Sequence, residues 1–351
     1  MKIVVIEGEG IGPEITRAAM AVLAVAQKKF SIDISFEMAN AGLQAYREHG
    51  AIVPAAVMET VKASDGLILG PVDSFNYPED VKRKMSVGGE FRSALDLYAN
   101  VRPARTREGL SQTDKDMDLV IVRENTEGFY ADRNMYEGSG EFMPTPGVAL
   151  AVRKITDEGC TRIARWAFEL ARNRRKKLTA VHKANVFKMS DGLFLQMVED
   201  VSRDYPDVEW DNAIVDAMAA YLIRDPSRFD VVVTTNMFGD ILSDEASELS
   251  GSLGLAGSLN AGDSFAMAQA QHGAAPDIAG QDTANPTSMI LSVAMLLDWL
   301  GQRHGQRAFR DAAGAIENAV ESTLANPASR TPDLAGSLGT QEFAQTVAQT
   351  L

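Results

Sequence analysis

The stretch that most constrains this chain is DVVVTTNMFGDILSDE, residues 230–245. Residues 230–235 form a β-branched run bounded by polar residues, short enough to be a buried strand of a parallel sheet. A helix is expected to open at the Gly239-Asp240 step. On that helix Asp240 and Asp244 are four apart, which places both carboxylates on one face. An isolated pair of this kind is ordinarily an acidic solvated face. Here it follows directly on the carboxyl end of an apolar strand, where open α/β sheets collect their ligands. Hard oxygen donors at such a place suit Mg²⁺ or Mn²⁺, which keep several waters and need only one or two carboxylates plus the substrate.

Upstream, the pattern is an alternation of short apolar runs with helical periodicity, which means an α/β fold. Strands are expected at residues 2–6, 32–38, 65–69, 117–122 and 177–182, with another ending at Val215-Asp216. Helical patterns fall at about 41–49, 54–62, 88–95, 189–204 and 287–300. The first strand runs into Gly8-Glu9-Gly10-Ile11-Gly12-Pro13, and proline suits the first turn of the helix that follows. The glycine spacing is GxGxG and not GxGxxG, so this is not a Rossmann fingerprint. Residues 131–147 carry glycine, proline and polar residues without periodicity and read as a protruding arm. The glycine- and serine-rich residues 251–262 read as a crossover between two lobes.

With 351 residues, 45% hydrophobic and 23% charged, the chain can bury two substantial cores. Its formal charge of −14 argues against nucleic acid as a partner, because phosphates would be repelled over most of the surface. The basic run at residues 172–177 is expected to be a solvated helix terminus. A single cysteine, Cys160, forms no intrachain disulfide, and the four histidines are scattered, which fits a reducing cytoplasm. No stretch reaches the roughly 18 uninterrupted apolar residues of a membrane span.

Several cations sit where they could act together. Arg92, Arg102 and Arg105 fall within MSVGGEFRSALDLYANVRPAR, and Arg123 follows in VIVRENTEGFY. A lone arginine is usually a surface residue, but several converging from a helix and two strand ends make a polyanion site, since each planar fork holds a carboxylate bidentately. Lys183, at the end of a strand, is a candidate base.

GEGIGPE, LDLYANVRPAR, VRENTEGFY, VHKANV, NMFGDILSDE and HGAAPDIAGQDTANP together resemble the β-decarboxylating dehydrogenase family, whose members include isocitrate, isopropylmalate, homoisocitrate, tartrate and D-malate dehydrogenases. The similarity runs nearly end to end. It implies a two-lobed isocitrate/isopropylmalate dehydrogenase-like fold. Residues 1–99 with 255–351 would form the cofactor-side lobe, and residues 100–254 the dimerisation and metal/substrate lobe. The arm, about residues 131–147, would clasp the partner of a homodimer.

The resemblance further implies NAD- and metal-dependent oxidative decarboxylation of a 3-substituted malate. Lys183 matches the family's base and Tyr130 its acid. Arg92, Arg102 and Arg123 match its substrate-carboxylate arginines. Asp216, Asp240 and Asp244 match its ligands for Mg²⁺ or Mn²⁺, with Lys183 and Asp216 completing the site of the other subunit. His272, Gly273, Ala275, Asp277, Ile278 and Asn285 match its NAD-holding loop, and Asp277 in that loop implies preference for NAD over NADP. Two departures stand out. Gln269 replaces a common glutamate, and Gly88-Gly89 replace the residues that recognise the variable group of the substrate. Ser86 matches an isocitrate-type serine, with Arg83 and Lys84 just upstream. These features favour an isocitrate- or homoisocitrate-like tricarboxylate; isopropylmalate, tartrate and D-malate are the alternatives. A non-catalytic regulatory subunit would be expected to lose Lys183, Tyr130 or the aspartates, and all are present.

Overall fold

The computed structural model describes residues 1–82, 85–130 and 135–351. Arg83, Lys84 and the start of the arm, residues 131–134, lie outside the described residues. The chain divides into two compact units, residues 1–95 with 253–351, and residues 96–252.

In the first unit the strands lie in the order Ser35–Met38, Lys2–Ile6, Gly66–Leu69, Ala266–Gln269, Leu259–Ala261. The first four are parallel and the last pair antiparallel. Lys2–Ile6 and Gly66–Leu69 are buried almost throughout, as continuous apolar runs in a parallel sheet covered on both faces should be. The helices Gly12–Phe30, Thr287–Arg303, Arg307–Ala325 and Thr340–Thr350 pack together in this unit. Residues 32–34 do not extend the strand at Ser35, although Ile32 and Ile34 are buried. Within residues 251–262, Leu259–Ala261 is a buried strand. Three residues are too few for periodicity to show; the strand exists through its pairing with Ala266–Gln269.

The glycines of the first loop serve tight contact within the protein. Gly8 and Gly10 have φ of 78° and 57°, a left-handed conformation open to glycine. Glu9 N donates to Pro71 O at 2.7 Å and Ile11 N to Ala274 O at 2.8 Å. A side chain at Gly10 would strike the Ala274 carbonyl. The loop therefore props the segment that begins at His272.

In the second unit the strand order is Ala99–Arg105, Asp118–Glu124, Val231–Thr234, Lys177–His182, Glu209–Ile214, with only the first pair antiparallel. Met117, Leu119, Ile121, Val232, Leu242 and Phe229 form part of one buried cluster beneath it. Three expectations are corrected here. The helix after Val231–Thr234 is Asn236–Ser250, three residues ahead of the Gly239-Asp240 step, because extended Thr235 already ends the strand. Asp216 does not end a strand: Glu209–Ile214 stops before it, and Asp216 lies in the first turn of helix Val215–Arg224, where the positive end of the helix dipole favours a carboxylate. The basic run is not merely solvated, since Arg174 Nε and Arg175 N donate to buried Asp230 at 2.7 and 2.8 Å.

The segment without periodicity, expected to end at residue 147, runs on into a hairpin in which Glu141–Thr145 pairs antiparallel with Val148–Ala151. Every residue in both strands is exposed. With neither face buried, no alternation of apolar and polar residues is required, and none marks these strands in the sequence.

Candidate active site

Strand Asp118–Glu124 and helix Asn236–Ser250 bring the first group of residues together. Gly239 faces Arg123: a Cβ there would lie 2.7 Å from the Arg123 side chain. The glycine inside a helix is thus explained by the close passage of a guanidinium stem. Arg123, nearly fully buried, donates from Nε to Asn236 Oδ1 at 2.9 Å and from Nη2 to the Tyr130 hydroxyl at 2.8 Å. Its Nη1 pairs with Asp240 Oδ1. The Tyr130 hydroxyl donates in turn to Asp240 Oδ2 at 2.6 Å. Arg102, from strand Ala99–Arg105, donates from Nη1 to Ser243 Oγ at 2.7 Å and lies 3.2 and 3.3 Å from Asp240 Oδ1 and Asp244 Oδ1.

Burial, and then the neighbouring Arg123 charge, pull the Arg102 guanidinium down to about 10, against attraction from both aspartates. It remains a cation at neutral pH. The two carboxylates keep outward-facing surface, with side chains 38% and 51% exposed for Asp240 and Asp244. Two partly exposed carboxylates at adjacent turns fit Mg²⁺ or Mn²⁺ with substrate and water filling the remaining positions. Asp216 does not join them: among the described residues no three His, Cys, Asp or Glu side chains come together as a metal site.

Asp216 instead forms an ion pair with Lys183. Its carboxyl is held below the usual range by the Lys183 hydrogen bond. The Lys183 main chain is anchored by a group not singled out from the sequence. Asp191, fully buried, accepts from Lys183 N at 2.6 Å and from Arg153 Nη1 at 2.5 Å. Arg153 Nη2 also donates to Thr235 Oγ at 3.0 Å, and its guanidinium lies over Phe129, Phe187 and Phe238. One buried cation thereby ties the Lys183 loop to the residue that starts the helix carrying Asp240 and Asp244. Its only sequence signal was an acid eight residues after Lys183, which is too common a spacing to read.

In the first unit, Ser86 caps helix Val87–Ala94, its hydroxyl oxygen accepting from Gly89 N at 3.1 Å. Arg92, in the last turn of that helix, donates from Nη2 to Gln269 Oε1 at 2.9 Å.

The loop from His272 to Asn285 is pinned at several points. Ala275 stands at φ 37° and accepts from Ile278 N at 3.2 Å. Burial holds the His272 imidazole below its usual range, against the pull of the Gly273 carbonyl 3.0 Å from Nδ1. Gly273 has open space where a side chain would be. Asp277 is exposed, and its carboxylate makes no hydrogen bond among the described residues, although its carbonyl accepts from Gln281 Nε2 at 2.9 Å. Asn285 is buried and held by Asp333 Oδ2 at 3.0 Å and Thr287 N at 3.0 Å. An exposed acceptor carboxylate on a braced loop that also carries an open glycine fits the ribose end of a dinucleotide.

A family model described as isocitrate/isopropylmalate dehydrogenase matches residues 2–347. The 3-isopropylmalate dehydrogenase of Archaeoglobus fulgidus is 42% identical over 351 residues, covering 100% of this chain and 99% of that protein. The homoisocitrate dehydrogenase of Methanocaldococcus jannaschii is 41% identical over 356 residues, covering 97% and 95%. The crystal structure of isocitrate dehydrogenase from Methylococcus capsulatus superposes with a TM-score of 0.88 at 40% identity, covering 99% and 98% of the two chains. With a family match spanning nearly every residue, this chain belongs to the isocitrate/isopropylmalate dehydrogenase family, enzymes that oxidatively decarboxylate hydroxy acids.

Proposed function

We propose that the protein is an NAD- and divalent-metal-dependent oxidative decarboxylase of a 3-substituted (R)-malate, with an isocitrate- or homoisocitrate-like tricarboxylate as substrate. The observation that carries the reaction type is the group of buried Arg102 and Arg123 with half-buried Tyr130, set against Asp240 and Asp244. The two guanidinium groups are suited to bind the carboxylates of malate. The aspartates are suited to hold Mg²⁺ or Mn²⁺. When bound, such an ion supplies stabilisation of negative charge on oxygen, and NAD supplies a hydride acceptor.

Lys183, as the neutral amine, takes the proton of the 2-hydroxyl, and the ammonium so formed is held by the Asp216 carboxylate beside it. Loss of that proton together with the hydride on the same carbon makes a β-keto acid, which loses CO₂, and Tyr130 returns a proton to the carbon that held the carboxylate. Its hydroxyl is already ordered between the Arg123 donor and the Asp240 acceptor, so little reorganisation precedes the transfer. Lys183 and Asp216 stand apart from the metal carboxylates in hydrogen bonding. That supports a homodimer in which they serve the partner's site, with the exposed hairpin at residues 141–151 as the clasp.

Most of the similar relatives are named for isopropylmalate, at 38–42% identity, and others for homoisocitrate or isocitrate at 40–41%, so overall similarity does not choose a substrate. What favours a tricarboxylate is Gly88-Gly89. Leucines there would wall an apolar pocket, each contributing about 1–2 kcal/mol to an isopropyl group, and glycines supply none of that contact. The test is a panel of 3-substituted (2R)-malates, with unsubstituted malate and tartrate, assayed with NAD and Mn²⁺ by nicotinamide reduction. The highest kcat/KM is expected for a tricarboxylate. A preference for isopropylmalate of about tenfold or more overturns the substrate assignment.

A further inference from the structure

The carboxamide of Gln269 stands over Gly88 in the first unit. Its Oε1 faces two donors, Arg92 Nη2 at 2.9 Å and Asn260 Nδ2 at 3.5 Å. Neither donor can accept a hydrogen bond, so the orientation of the amide is fixed: oxygen toward Arg92, nitrogen away from it. The nitrogen, Nε2, makes no hydrogen bond among the described residues. A Cβ built on Gly88 would lie 3.3 Å from this nitrogen, 3.6 Å from Oε1 and 3.9 Å from Arg92 Cζ. The volume that a side chain at position 88 would fill is therefore bounded by a carboxamide N–H group and a guanidinium.

The main chain of Gln269 is equally constrained. It ends strand Ala266–Gln269, its N donating to Ser258 O at 3.3 Å and its O accepting from Ser292 Oγ at 3.2 Å. The amide is thus presented from a fixed backbone.

A glutamate here would accept from Arg92 as a carboxylate, offsetting the guanidinium charge and offering no N–H. A glutamine keeps Arg92 in place through a neutral oxygen, leaves its charge uncompensated by this residue, and adds donors of its own. Both effects favour an anionic substituent and disfavour an alkyl one, since an alkyl group would cover Nε2 without satisfying it.

We propose that Gln269 is a specificity-determining residue: its carboxamide Nε2 recognises the carboxylate of the 3-substituent in the space left by Gly88, while its Oε1 positions Arg92. Gly88 and Gln269 act as a pair, because a larger residue at position 88 displaces the amide. This inference rests on the tricarboxylate reading above and assigns the residue responsible for it.

The experiment measures kcat/KM for isocitrate, homoisocitrate and isopropylmalate, with NAD and Mn²⁺, in the wild-type enzyme and in Gln269→Glu and Gln269→Met. Both variants are expected to lower the ratio of tricarboxylate to isopropylmalate kcat/KM by about tenfold or more, mainly through the KM of the tricarboxylate. Gln269→Glu is expected to have the larger effect, since it adds a negative charge. Calorimetric titration of each variant with the tricarboxylate and Mn²⁺ reads the same loss as weaker binding where turnover is too slow to measure. A ratio unmoved in both variants, or binding as tight as wild type, overturns the assignment of Gln269. The wild-type ratio alone reads the substrate assignment, so an isopropylmalate-preferring wild type whose ratio still shifts in the variants overturns that reading and leaves the role of Gln269 standing.

Discussion

Asp191, with no exposed surface, accepts a 2.6 Å hydrogen bond from the main-chain nitrogen of Lys183, the residue proposed as base. The same carboxylate neutralises Arg153, whose other nitrogen reaches Thr235 at the start of the helix bearing Asp240 and Asp244. Asp191→Ala leaves the Arg153 charge buried without its carboxylate, a change that typically destabilises by about 3–5 kcal/mol. The expected outcome is a clearly lower Tm together with a fall in kcat. Arg153→Lys, which preserves the charge opposite Asp191, should lower both by less. An Asp191→Ala protein with wild-type Tm would show that this buried pair does not anchor the loop.

Replacing Asp244 by Asn keeps an oxygen for Arg102 and removes the charge. The fold should be intact by circular dichroism, while kcat at limiting Mn²⁺ falls by about a hundredfold or more. Full activity at limiting Mn²⁺ would rule out Asp244 as a metal ligand.

Lys183→Met and Tyr130→Phe should fail differently. The first removes the base and should abolish nicotinamide reduction. The second keeps the ring over Arg123 and deletes the hydroxyl held between Arg123 and Asp240, so it should slow product formation by roughly 10²–10⁴-fold with hydride transfer less affected. Rapid-mixing absorbance of nicotinamide, set against chemical quench of the keto product, separates the two steps. Tyr130→Phe turning over at wild-type speed would eliminate the tyrosine as acid.

Cofactor choice should follow Asp277. Its exposed carboxylate can accept from ribose hydroxyls and repels a 2′-phosphate, so kcat/KM should favour NAD over NADP by about tenfold or more. Asp277→Asn should narrow the gap by weakening NAD and relieving the repulsion of NADP. Equal values for the two cofactors in the wild-type enzyme would be incompatible with this role.

The sequence by itself determined the α/β class, buried strands such as Lys2–Ile6 and Lys177–His182, and the pairing of Asp240 with Asp244, because each is local. A parallel strand buried on both faces is a continuous apolar run, and carboxylates four apart on a helix share a face wherever that helix packs. Motif order also carried the family. What required tertiary structure is whatever depends on residues distant in sequence. Leu259–Ala261 is a strand through pairing with Ala266–Gln269, and the exposed hairpin at residues 141–151 has no buried face to leave a pattern. The glycine at 239 is explained only by Arg123 passing within 2.7 Å of its missing Cβ, 116 residues away by number (239 − 123). The same is true of Gln269 and Arg92, separated by 177 residues. An amide orientation is set by which donors surround it, and that set is assembled only when the strand ending at Gln269 is brought beside the helix carrying Arg92.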